Sequence, residues 1–119
     1  MAINKEQDTI SLEQAQEWGK RWKEGGAKLL VTNVIKAFLI PGIDLTEVLA
    51  EEGVQDIRTY FGVDENEQPH LMVVGVDANG NDMIDQDKMI NEKNGWHIYD
   101  FSVPCPKTCD VKSPLFIAN

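Results

Sequence analysis

The stretch that decides the fold is Leu71–Asp85, LMVVGVDANGNDMID. An apolar run leads into Asn79-Gly80, a pair that tolerates the positive φ angles of a tight hairpin turn, and a shorter run returns from it. The pattern predicts antiparallel strands over His70 to Ala78 and Asn81 to Ile84, joined by a two-residue loop. In that register Ala78 faces Asn81 and Asp77 faces Asp82. Two carboxylates directly opposed across a ladder repel each other, so a cation, a lysine or backbone N–H groups must offset them.

Upstream, Val54 to Val63 (VQDIRTYFGV) alternates as a strand with one drier face, and the polar loop Asp64 to Pro69 hands it antiparallel to the next strand. Before it stands a helix with Asp44 as N-cap, Glu47 completing a capping box, Ile43 and Val48 at the staple positions and Gly53 at its end. Val34 to Ile40 (VIKAFLI) is nearly continuous apolar sequence that stops at Pro41-Gly42, the pattern of a largely buried strand. The first helix runs from Leu12 to Lys23. Ser11 caps it with Gln14, and Leu12, Ala15, Trp18 and Trp22 form one apolar stripe. Gly25-Gly26 stops it. The two tryptophans on this stripe anchor the helix on the core.

Downstream, Asp85 to Gly95 is a charged excursion and His97 to Ser102 a fifth, short strand. Pro104, Pro106 and Pro114 exclude regular structure over much of the tail, whose Leu115-Phe116-Ile117 is expected to dock on the core edge. The fold class is therefore α+β: one domain over residues 1–119, a mainly antiparallel sheet of four or five strands, and two helices packed on one face.

With 119 residues, 42% of them apolar, the chain can build one ordinary core. Its net charge is −9 and its pI about 4.5. That balance argues against nucleic acid, whose phosphates need Lys and Arg, and allows a basic protein partner or a second copy of the chain. The segment MAINKEQDTIS has no apolar signal region. LLV and AFLI, the longest apolar runs, fall far short of the roughly 20 residues that span a bilayer. A cytoplasmic location is expected, in which Cys105 and Cys109 would be thiols or ligands; a local disulfide is the other state open to them.

Three places carry chemistry-bearing residues. At the hairpin tip Asp77, Asp82 and Asp85 offer oxygens to a hard cation such as calcium. An EF-hand count from Asp77 puts Asp77, Asn79, Asn81 and Asp85 at positions 1, 3, 5 and 9, but places Asp82 where the glycine belongs and Lys88 where the bidentate glutamate belongs. Asp and Asn are also ordinary turn residues, and that explanation is the simpler one. In the tail, PCPKTCD spaces Cys105 and Cys109 by three residues, one too many for a thioredoxin-like pair. Zinc there would need two more ligands, and neither His70 nor His97 has ligand spacing. Finally, His97 and Asp100 lie an odd number apart on one strand and so point to opposite faces, which argues against an acid–base dyad. No nucleophile elbow or phosphate-cradling loop accompanies them.

The motifs AFLIPGIDL, IRTYFGVDENEQP, LMVVGVDANGNDM and IYDFSVPCPKTC together resemble a family of small proteins of Bacteroidetes-type bacteria. Its members share an AFLI strand, an IRxYFG strand, a GxDxNGNDM hairpin and a terminal PCPxxC before Ser-Pro-Leu. The resemblance covers about two-thirds of the chain, from Lys36 onward, and implies bacterial origin and a shared fold but no activity. The family pattern sets the tail cysteines and Asp100 beside the hairpin in sequence, while Asp85 to Gly95 is longer here than the relatives imply.

The function expected from these residues is a non-catalytic interaction module with an acidic surface, in the manner of a small inhibitor or immunity protein, using no cofactor. The alternative is a metal- or thiol-dependent protein, with calcium at the hairpin or zinc or redox chemistry at the CPKTC loop. A small-molecule binder using Trp18, Trp22 and Tyr60 would need an open apolar pocket.

Overall fold

A computed structural model describes residues 9–84 and 96–117. In chain order these form β1 (Thr9–Ile10), α1 (Leu12–Thr32), β2 (Ala37–Leu39), α2 (Gly42–Leu49), β3 (Asp56–Val63), β4 (Pro69–Val76), β5 (Ile98–Tyr99) and β6 (Val103–Cys105). The architecture is α+β, with a four-stranded antiparallel sheet in the order β1-β5-β4-β3 and a separate antiparallel pair, β2-β6.

β4 is the central strand, and it explains the run LMVVGV. Side chains alternate across a strand, so Met72 and Val74 face one way and Val73 the other. Both faces are covered, and Val73 and Val74 are 0% and 1% exposed. Met72, Val74 and Ile98 pack with Trp18 of α1. Val73, Tyr99 and Phe101 pack with Val48 of α2. The two helices thus lie on opposite faces of the sheet, where the sequence reading puts both on one. An apolar strand with no polar alternation is what burial on two sides requires. Each fully buried valine contributes roughly 1.5–3 kcal/mol.

α1 starts as expected, with the Gln14 N–H donating to Ser11 Oγ at 3.0 Å. It does not end at Gly25-Gly26. Gly25 leaves helical geometry and the chain resumes as helix to Thr32, so the glycines make a kink. The first stretch sits close to the sheet because position 62 is glycine. A Cβ there would lie 3.0 Å from Trp18 Cβ and from the Met72 methyl. α2 begins at Gly42 after Pro41, with no side-chain cap. Asp44, expected as N-cap, falls inside the first turn, because Pro41 presets the backbone one turn earlier.

The expected buried strand over 34–40 shortens to β2, outside the main sheet, with Ala37 and Leu39 exposed and only Phe38 half-buried. Its partner is the proline-bearing β6, in the register Ala37↔Cys105, Phe38↔Pro104 and Leu39↔Val103. In the tail Phe116 alone docks, with Lys36 Nζ 5.5 Å from its ring centroid; Leu115 and Ile117 stay exposed. The sheet gains an unexpected outer strand, β1, which pairs Thr9 with Tyr99 and Ile10 with Ile98.

Candidate functional site

The β3–β4 hairpin positions most of the polar chemistry. All eight residues of β3 pair in register, from Asp56↔Val76 to Val63↔Pro69. The loop between them brings Asp64 back toward His70. The Asp64 carboxylate accepts from the Asn66 and Gln68 N–H groups at 2.8 and 3.0 Å, holding the turn. Its other oxygen lies 2.7 Å from His70 Nε2. On the far side His70 Nδ1 is 2.8 Å from Asp100 Oδ1, just past β5. The imidazole is thus clamped between two carboxylates, with the Trp18 ring at 4.5 Å. Trp18 Nε1 donates in turn to Glu65, which also lies 3.9 Å from Arg21.

Burial alone would push the His70 imidazole down, but the bonds to Asp100 and Asp64 outweigh it and the net direction is up from the ordinary 6.5. For Asp64, burial pushes up, and the Gln68 amide, His70 and the Asn66 amide together bring it below its ordinary value. Both ring nitrogens face carboxylate oxygens, which favours the protonated ring, and the clamp joins the β3–β4 loop to Asp100 just past β5. This clamp is invisible to spacing rules. The register Gly62↔His70 puts Asp64 within reach, and a hairpin reading could have found that half. The Asp100 half needs the insertion of β5 between β1 and β4.

The acidic hairpin tip is built differently from its expected form. Asp77 N–H donates to Asn81 O and Gly80 N–H to Asp77 O, with Gly80 at φ +83°. The loop therefore has three residues, Ala78 to Gly80, and closes with glycine in the left-handed region. The paired residues become Val76↔Asp82, not Asp77 and Asp82. Asp77 accepts from the Asn79 and Asn81 N–H groups at 2.9 Å each, which holds its carboxyl below the ordinary range. Asp82 instead pairs with Arg58 Nη1 and accepts from the Tyr60 hydroxyl. That hydrogen bond, then burial and the charge of Asp82, raise the Tyr60 phenol above its ordinary 10.0. Arg58 is raised by the same partner and also reaches Gly80 O at 3.3 Å. Asp85 lies outside the described residues. The expected return strand over 81–84 reduces to the single Val76↔Asp82 bridge.

In the tail Cys105 and Cys109 form a disulfide, with Cα atoms 4.7 Å apart, instead of the expected thiols. The close spacing and the turn at Pro106-Lys107 bring the two sulfurs together. Among the described residues no group of three or more His, Cys, Asp or Glu is placed to hold a metal ion. His97, Tyr99 and Glu51 form a further polar group, in which the His97 N–H and Tyr99 hydroxyl donate to Glu51 Oε2 at 3.2 and 2.6 Å.

The remaining feature is the outer edge of the sheet. β3 closes it, with Arg58, Thr59, Tyr60 and Phe61 all exposed. Exposed carboxylates flank it: Glu52 before, Asp56 at its start, Glu65 and Glu67 after. No described helix is long and apolar enough to cross a membrane. Searches of family models, curated proteins and solved structures return no match to this chain.

Proposed function

We propose that this protein is a non-catalytic interaction module that accepts a basic, extended segment of a partner protein along the β3 edge. The position of β3 at the sheet edge carries the reading, because an edge strand offers backbone groups to another chain; at its far end Arg21 Nη1 already donates to Val63 O at 3.3 Å, so the stretch on offer lies before Val63. Natural edges are often blunted with lysine. β3 carries one basic residue, Arg58, and Asp82 already holds it. The flanking carboxylates and the net charge of −9 favour a basic partner over nucleic acid or a second copy. Such a role is that of a small inhibitor or immunity protein, and needs no cofactor or metal at Asp77, Asp82 or Asp85.

The test is affinity capture from a lysate of the source organism at low and high salt, followed by hydrogen exchange on the complex. The expected result is a partner lost at high salt and new protection confined to residues 56–63. A lysate with no salt-sensitive partner, or protection elsewhere, sinks the proposal. Sedimentation of the protein alone checks the homodimer.

The thiol-dependent alternative keeps one supporting observation, the Cys105–Cys109 disulfide. The same bond bears on location. A cytoplasmic site is part of the original expectation, yet disulfides persist chiefly in oxidising compartments. Thiol alkylation in intact cells decides between the two, and elemental analysis of purified protein tests for zinc.

A further inference from the structure

Between α1 and the sheet the described residues leave a groove of about 490 Å³. Its walls are apolar: Leu12, Ala15 and Trp22 from the helix, Phe61, Val74 and Ile98 from the sheet. Trp22 and Phe61 stack on each other at 4.4 Å and 15°, so the two lining aromatics form one rigid pair. Its volume lies in the range of small-molecule sites.

Two further observations bear on what fills it. The first is Gly19. It lines the groove in the middle of α1's first stretch, and a Cβ added there would meet no atom within 4 Å. Glycine is the poorest helix former after proline, and alanine or leucine at this lining position would favour the helix and find open space. Gly62 is the contrast: there a Cβ would press on Trp18 Cβ and the Met72 methyl at 3.0 Å. The helix therefore keeps its least favourable residue where space is open, which maintains the opening. The second is charge. Asp82 is the one charged side chain among the lining residues, and Arg58 and the Tyr60 hydroxyl hold it. A cationic ligand would have to displace Arg58, and an anion would meet Asp82 within a chain of net charge −9.

We infer that this groove is a binding site for a small, uncharged aromatic compound, seated against Trp22 and Phe61 with a polar atom toward the Tyr60 hydroxyl. The site is separate from the β3 edge pairing proposed above, because it uses side chains over the sheet face and not the strand's outer backbone groups.

The probe for the test is N-phenyl-1-naphthylamine, an uncharged aromatic fluorophore, titrated into the full chain. Saturable enhancement at one probe per chain is expected. Gly19→Leu should weaken it about tenfold or more, because its side chain occupies the ligand's space, while the melting temperature holds or rises. Gly19→Ala should fall between Leu and the native chain. The anionic 8-anilinonaphthalene-1-sulfonate should bind about tenfold more weakly than the neutral probe. Absence of saturable binding overturns the inference, as does Gly19→Leu with unchanged affinity. Equal binding of the two probes overturns the uncharged class. If Gly19→Leu does not fold, Gly19→Ala and Tyr60→Phe decide: unchanged binding in both counts against the site. Probe loss that tracks self-association on a dilution series would assign the groove to a second copy instead.

Discussion

Replacing His70 with glutamine tests whether the Asp64–His70–Asp100 clamp acts as an ion pair or only as packing. Glutamine keeps polar bulk but cannot become cationic. The histidine makes two bonds of 2.7 and 2.8 Å to carboxylates. A hydrogen bond to a charged group contributes about 1.5–3 kcal/mol when well buried. Here the three side chains are 23%, 15% and 19% exposed, so solvent screens part of that. A loss of about 2 kcal/mol at pH 5.5 follows. For a chain of 119 residues that corresponds to a fall of about 8 °C in melting temperature. The sign of the pH dependence is set by the directions of the two shifts. His70 is raised above its ordinary 6.5, so its contribution is complete below that value and is lost as pH rises through the folded value. Asp64 is lowered below its ordinary 3.8, so its contribution is complete above that value and is lost as pH falls through the folded value. The clamp therefore stabilises most between about pH 4 and 6.5. Urea melts of native and His70→Gln protein at pH 5.5 and 9 read the difference, and pairing the two proteins cancels His97. The gap should shrink at pH 9. A gap of the same size at both values would refute the ion-pair account and leave His70 as a packing partner of Trp18.

Three other perturbations follow from the same geometry. Asp82→Asn removes the acceptor that raises Tyr60, so ultraviolet titration of the phenols should show one tyrosine moving toward 10.0, with little change in stability because the pair is near solvent. Asp77→Ala removes two amide bonds from the turn and should lower the melting temperature; the native melt should be the same with and without millimolar calcium, and a calcium-dependent rise would restore the tip as a cation site. Reducing the Cys105–Cys109 bond, which closes a loop of sequence separation 4, should cost about 2 kcal/mol on loop-closure entropy, read as a drop in melting temperature with dithiothreitol that a Cys105→Ser/Cys109→Ser double variant does not show.

The parts of this fold that were legible in the sequence are those decided locally. Ser11 caps α1 by accepting from the Gln14 N–H, because the two sit one turn apart whatever the rest does. The β3–β4 hairpin follows from two runs and a polar loop, and it is found with its pairing intact. What escaped was decided at long range. β1 is two residues of unremarkable sequence, a strand only because the edge of β5 is there to pair with. β2 reads as a buried strand because apolar runs usually are, yet its partner is a short strand containing Pro104, a residue confined to sheet edges. The side of the sheet each helix takes was in part legible. Met72, Val73 and Val74 are consecutive and apolar, and consecutive residues point to opposite faces, so a buried run needs cover on both. The His70 clamp needs Asp64 from one end of the hairpin and Asp100 from a strand thirty positions away, and no local rule joins them.

The acidic turn shows how much a single residue of loop length decides. With two loop residues, Asp77 would oppose Asp82 and the two charges would need an external counter-ion. With three, the same sequence closes through Gly80, and Asp77 turns inward to its own amides. Because side chains alternate, moving the pairing by one residue moves Asp82 to the other face of the sheet. There, opposite Val76, it shares a face with Arg58 and Tyr60, since Asp56 pairs with Val76, Arg58 with Val74 and Tyr60 with Met72. Trp18 of α1 covers Met72 and Val74 on that same face. The carboxylate that looked like half of a cation site thus becomes the neutralised polar corner of the groove under α1. Arg58, which as a free cation would block the β3 edge, is drawn to the same corner. One backbone choice at Ala78–Gly80 leaves the edge electrostatically open to a basic strand and leaves the groove fit for an uncharged ligand, so both proposed surfaces depend on the turn.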